Sequence, residues 1–101
     1  MYMDTSGDIP CPRRIGLPWY AREDYARVRA AMADPHNLAP VYDGWLMAAL
    51  NNEAVAKQAG LQVVRAFIDP DRFPHWCAEK GLEADARARA RFAQQAAEAV
   101  G

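Results

Sequence analysis

His75 and Cys77 are the first residues that chemistry would reach for: an imidazole and a thiol two positions apart, the two groups that a cysteine nucleophile and its base require. The spacing argues against their cooperation. Two positions on a helix is roughly 200° of rotation, which turns Cys77 towards a core and His75 to solvent beside Glu79. Cys77, adjacent to Trp76 on an apolar face, reads as an inert small hydrophobe. A metal site would need Cys11, His36, His75 and Cys77 to converge from four separated places, with no pair at ligand spacing. Ser6 is the only serine, and neither a Gly-rich phosphate loop nor a paired-carboxylate motif stands out. The expectation is a protein without catalytic residues, metal ligands or cofactor.

The elements that would position these side chains occupy 101 residues, enough for one modest core. A hydrophobic fraction of 51%, with three Trp, four Tyr and three Phe, indicates a chain that folds. Much of that fraction is alanine, which favours helix but buries little area, so the aromatics must supply most of the core. Net charge is −1, with six basic against seven acidic residues over 1–59 and six against six over 60–101. That balance gives no electrostatic drive towards nucleic acid or an anionic membrane. Ten of the twelve basic residues are arginine, which with the alanine content fits a GC-rich bacterial genome. Two distant cysteines, with nothing resembling a signal peptide or membrane span, suggest a cytosolic, cytoplasmic protein with reduced thiols.

Residues 1–17, carrying the only Ser and Thr and prolines at 10 and 12, read as an irregular N-terminal arm. Residues 18–101 read as a single helical domain. A first helix is expected over about 21–33, with Ala21, Tyr25, Val28 and Met32 on one stripe. A second runs from about Tyr42 to Ala59 and closes at Gly60, with Trp45, Ala48, Ala49, Val55, Ala56 and Ala59 on its apolar face. Asn52 falls on that face and is expected as a buried amide with a backbone or water partner. Asp69, Pro70 and Asp71 start a third helix, with Asp69 as N-cap and Pro70 at N1, and Phe73, Trp76 and Cys77 share its inner face. A last helix runs from Asp85 to Val100, its apolar stripe being Ala86, Ala90, Ala93, Ala97 and Val100. Arg89 projects onto that apolar side. Snorkelling past the core edge is expected for it, an ion pair with another element or chain being the alternative.

Between the second and third helices lies the one convincing strand, about 62–68. Its two faces, Val63, Arg65, Phe67 and Gln62, Val64, Ala66, Ile68, are both mostly apolar, so it should be covered on both sides. A buried strand needs a hydrogen-bonding partner. The arm offers only a proline-interrupted candidate around Ile9 to Ile15, so the expectation is antiparallel self-pairing with a second copy about a two-fold axis. The fold class expected is therefore mainly α (α+β): four helices and a single central strand, paired with its copy in a homodimer. Val63, Arg65, Phe67 and Arg89 are the candidate contact residues, for the copy or for another protein.

Strand, Asp-Pro-Asp turn, short helix closed by Gly81, then longer helix: residues 62–100 in this order resemble the ribbon-helix-helix layout, whose dimeric ribbon reads DNA. The resemblance implies a DNA-binding alternative. It departs from that layout in having Gln62 and Arg65 as the only polar ribbon residues, on opposite faces, in a slightly acidic chain. Tyr42-Asp43-Gly44-Trp45, Val63-Val64, Ile68-Asp69-Pro70-Asp71, Phe73, Trp76-Cys77, Gly81 and Arg91-Phe92-Ala93 are also similar to a pattern in a group of small bacterial proteins with no assigned activity. That resemblance spans about residues 18–93 and implies a compact, mainly helical protein, without adding chemistry. The functional expectation is a small non-enzymatic protein-interaction module.

Overall fold

Two parallel strands organise the molecule. The computed structural model describes residues 13–100. Strand β1 (Arg14–Trp19) pairs with β2 (Gln62–Phe67), Arg14 lying opposite Gln62 and Trp19 opposite Phe67. Parallel strands need a long crossover. Here it holds helices α1 (Tyr25–Ala31) and α2 (Tyr42–Gln58), with short 3-10 turns at Arg22–Asp24 and Pro35–Asn37. After β2 come α3 (Arg72–Lys80) and α4 (Ala86–Ala99), giving an α+β fold of four α-helices and a two-stranded sheet.

Two expectations are corrected here. The strand at 62–68 is not single, since its partner is β1 of the same chain, and residues 14–17 belong to that strand rather than to an irregular arm. The physical reason lies in the parity of the ladder. Gln62 N donates to Arg13 O at 2.8 Å and Ile68 N to Trp19 O at 2.9 Å, so odd-numbered β1 residues bond inward while Arg14, Gly16 and Pro18 face outward. Pro18 thus sits where a missing N–H breaks no ladder bond. The rest of the expected arm, including Tyr2, Ile9 and Cys11, lies outside the described residues.

In-register parallel partners share a face. Gly16, Pro18, Val64 and Ala66 face α4, whose backbone comes so close to Gly16 that any Cβ there would overlap the Ala93 carbonyl. Ala93 and Ala97 are fully buried at this contact, so small side chains on the helix and none on the strand permit the approach. Leu17, Trp19, Val63, Arg65 and Phe67 share the opposite face, which α2 partly covers through Trp45 against Trp19 and Glu53 against Arg65.

The connections are built from local signals. Gly60 (φ 87°) and Gly81 (φ 69°) end α2 and α3 in the left-handed conformation, with Leu61 N donating to Ala56 O and Leu82 N to Cys77 O. Asp85 caps α4 through Ala88 N at 3.0 Å. The main core gathers Tyr20, Tyr25, Val28, Met32, Leu38, Ile68, Phe73, Cys77 and Ala88, with Tyr42, Trp45, Trp76 and Phe92 packed against it. Among the described residues no helix is long and apolar enough to cross a membrane.

Two helix faces differ from the periodicity reading. On α2, Val55 and Asn52 are exposed, and the buried positions are Ala49, Glu53 and Ala56. On α4, Ala86, Ala90 and Val100 are exposed, and the buried residues are Ala88, Arg89, Ala93 and Ala97. An acid and an arginine occupy core-facing positions. Hydrophobicity alone assigns such positions to solvent.

Candidate functional site

The sheet has two edges, and the fold treats them differently. On the outer edge of β1, the Gln94 side chain of α4 takes the place of a third strand: its Oε1 accepts from Gly16 N at 3.2 Å and its Nε2 donates to Arg14 O at 3.4 Å. Pro18 offers no donor on the same edge. This edge is capped at Gly16 N and Arg14 O, with α4 lying against it. The outer edge of β2 presents the N–H and C=O groups of Val63, Arg65 and Phe67, the residues whose parity turns them away from β1. Among the described residues none of these groups has a hydrogen-bond partner.

The side chains along the open edge are held from behind. Arg65 forms a bidentate pair with Glu53 of α2, Nε to Oε2 at 2.7 Å and Nη2 to Oε1 at 2.8 Å. Its guanidinium also lies 4.0 Å from the centroid of the Trp19 ring. Glu53 is buried, and the hydrogen bonds from Arg65 hold its carboxyl below the ordinary range. Phe67, at the end of the strand, is 58% exposed, and Val63 is half-buried. An exposed phenylalanine beside unpaired backbone groups is a feature that edge strands normally avoid.

Arg89 is placed elsewhere. It is 4% exposed and bound within its own chain: Nη1 donates to Asp34 Oδ1 at 2.8 Å and Nη2 to Asp34 Oδ2 at 3.2 Å. The ion pair replaces the expected snorkelling, and burial removes Arg89 from the edge formed by Val63, Arg65 and Phe67. Asp34 Oδ2 also accepts from Asn37 Nδ2 and from Ala86 N, both at 3.0 Å, joining the α1–α2 connection to the start of α4. The hydrogen bonds from Arg89 outweigh burial and bring the Asp34 carboxyl down to about 2.

The remaining residues singled out by sequence fall into the framework. Asp69 Oδ2 accepts from Asp71 N at 2.9 Å and Arg72 N at 2.7 Å, and its carbonyl accepts from Phe73 N, so it caps α3 although the regular helix begins at Arg72. Pro70 is buried in that turn. Trp45 meets Trp19, Tyr20, Tyr25 and Tyr42 in one aromatic cluster, and Trp76 meets Phe73 and Phe92 in another. Cys77 is 2% exposed, and burial raises its thiol above the ordinary value, an environment opposite to that of a reactive thiolate. His75 stands on the exposed side with Nε2 3.5 Å from Glu79, away from Cys77. Among the described residues no three His, Cys, Asp or Glu side chains gather as a metal site would require.

Glu53, Asp34, Gly16 and Gln94 are the residues that periodicity did not single out. One signal was available: two arginines on apolar faces, Arg65 and Arg89, each imply a buried acid, and Glu53 lies on the Trp45–Ala49–Ala56 face of α2. Comparison with protein-family models, with curated proteins and with solved structures finds no match.

Proposed function

We propose that the protein is a non-catalytic interaction module that pairs with a second copy of itself through the open edge of β2. The observation that carries this reading is the asymmetry of the sheet: Gln94 and Pro18 blunt the β1 edge, while among the described residues the β2 edge keeps three donors and three acceptors free beside an exposed Phe67. Only one antiparallel register about a two-fold axis engages all three outward residues of both copies. It sets Arg65 opposite Arg65 and Val63 opposite Phe67. The arginine charges are already balanced by Glu53, and the Val–Phe pairing is of the favourable aromatic and β-branched kind. The ribbon-helix-helix-like alternative draws less support, because β2 already has a parallel partner and helices pack on both faces of the sheet.

The test is sedimentation equilibrium across micromolar concentrations, with amide exchange of Val63, Arg65 and Phe67 followed in parallel. A mass rising to two chains with protection of these three amides supports the reading. A single-chain mass at all concentrations overturns it, and binding of duplex DNA at low salt would favour the alternative.

A further inference from the structure

A cavity of about 280 Å³ lies on the other side of the sheet from the open edge, between the end of β1, the α1–α2 connection, α2 and the first turn of α4. Trp19, Leu38, Trp45, Ala48 and Ala49 give it apolar walls. Two polar side chains among its lining residues are almost wholly buried and incompletely bonded. Arg89 spends one hydrogen of each Nη on Asp34, in the end-on geometry that leaves the Nε edge of the guanidinium free. Among the described residues no acceptor meets the Nε–H or the remaining Nη hydrogens. The Tyr20 hydroxyl, on a residue 2% exposed, likewise has no hydrogen-bond partner among the described residues. Buried donors are almost always satisfied by protein or ordered water, so two such side chains among the residues lining one cavity leave it with hydrogen bonds to offer an occupant.

The charges restrict what that occupant is. Asp34 already neutralises Arg89, so a carboxylate or phosphate would enter as an uncompensated anion between mostly apolar walls, which is costly. An uncharged carbonyl offers lone pairs to the Nε–Nη edge without that cost. The two indoles and the alanine face of α2 suit a flat aromatic body, and the volume lies just below the usual range for small-molecule sites. We propose that this cavity binds a small, uncharged, flat molecule carrying a carbonyl group, with Arg89 as its anchor and Trp45 against its ring. The site does not depend on the β2 edge, and either reading stands or falls without the other.

The test is a two-dimensional amide and indole NMR titration of the full chain with indole-3-carboxamide, indole-3-carboxylate and 3-methylindole as probes. Saturable shifts for the carboxamide at the indoles of Trp19 and Trp45 and the amides of Ala48, Ala49 and Asn52 are expected. Lacking either neutrality or the acceptor, the other two probes should bind at least about tenfold more weakly. Ala48 is an exposed helix position, so Ala48→Phe should narrow the cavity and abolish the shifts while the rest of the spectrum stays that of the folded chain. No saturation at millimolar carboxamide, as for a cavity holding only water, would overturn the assignment. So would equal binding of the carboxylate, or binding that survives in the folded Ala48→Phe variant.

Discussion

Arg89 and Asp34 meet end-on inside the fold, Nη1 on Oδ1 at 2.8 Å and Nη2 on Oδ2 at 3.2 Å, and join the first turn of α4 to the connection that precedes α2. Both side chains are nearly inaccessible, so removing one strands the charge of the other. Arg89→Ala or Asp34→Ala should each cost about 3–5 kcal/mol in urea unfolding, a large part of the stability of a small domain. The double replacement Asp34→Leu with Arg89→Met removes both charges together and should recover most of that loss, giving strong non-additivity in the cycle. Additive losses would show that the pair is not the source of the effect.

The same pair sets an acid dependence. Asp34 is held at about 2 in the folded chain, from an ordinary 3.8, so its contribution is complete above the unfolded value. It disappears as pH falls from about 4 towards about 2, and the difference between the two values amounts to about 2 kcal/mol. Glu53, depressed by Arg65, and Asp69, depressed by the amides it caps, act in the same direction. Thermal unfolding followed from neutral pH to pH 2 should therefore show falling stability, and Asp34→Asn should flatten part of the slope while lowering stability at neutral pH. An unchanged slope in that variant would refute the assignment.

Gly16 supplies a test of the α4 contact. Because a methyl group there would overlap the Ala93 carbonyl, Gly16→Ala must push α4 away from β1 and disturb the Gln94 bonds. We expect a loss of about 2–3 kcal/mol, the scale of an overpacked core, although alanine is ordinarily the better strand residue of the two. A melting temperature equal to the parent's would mean that the helix stands further from the strand.

How much of this was legible in the sequence varies with the kind of residue. The helices, the Gly60 and Gly81 stops, the Asp69 cap and β2 follow from local signals, because capping and periodicity act within a few residues. β1 was hidden because prolines discount a strand unless its outward parity is known, and parity depends on a partner 48 positions away, as in Arg14 and Gln62. Glu53 is absent from the buried face of α2 as periodicity reads it, and Arg89, which falls on the apolar side of α4, is expected to reach past the core edge, since a charge counts as solvated until its partner is found. Alternation places Val63, Arg65 and Phe67 on one face of β2, and that their backbone groups turn away from β1 depends on the register between the strands. The closing of the opposite edge by Gln94 depended on tertiary structure throughout.

That contrast between edges gives the sharpest functional prediction. Phe67→Lys adds a charge to the open edge without touching the core, since Phe67 is 58% exposed. It should weaken self-association by at least about tenfold, with little change in the unfolding midpoint of the single chain. Gln94→Ala should act in the other sense: it frees Gly16 N and Arg14 O, costs about 1 kcal/mol, and leaves the sheet with two open edges. Species larger than two chains should then appear in light scattering, because a sheet open on both sides propagates where a sheet open on one side stops at a pair. If Phe67→Lys leaves the association constant untouched, β2 is not the contact. If Gln94→Ala assembles no further than its parent, the amide of Gln94 is not what closes the β1 edge.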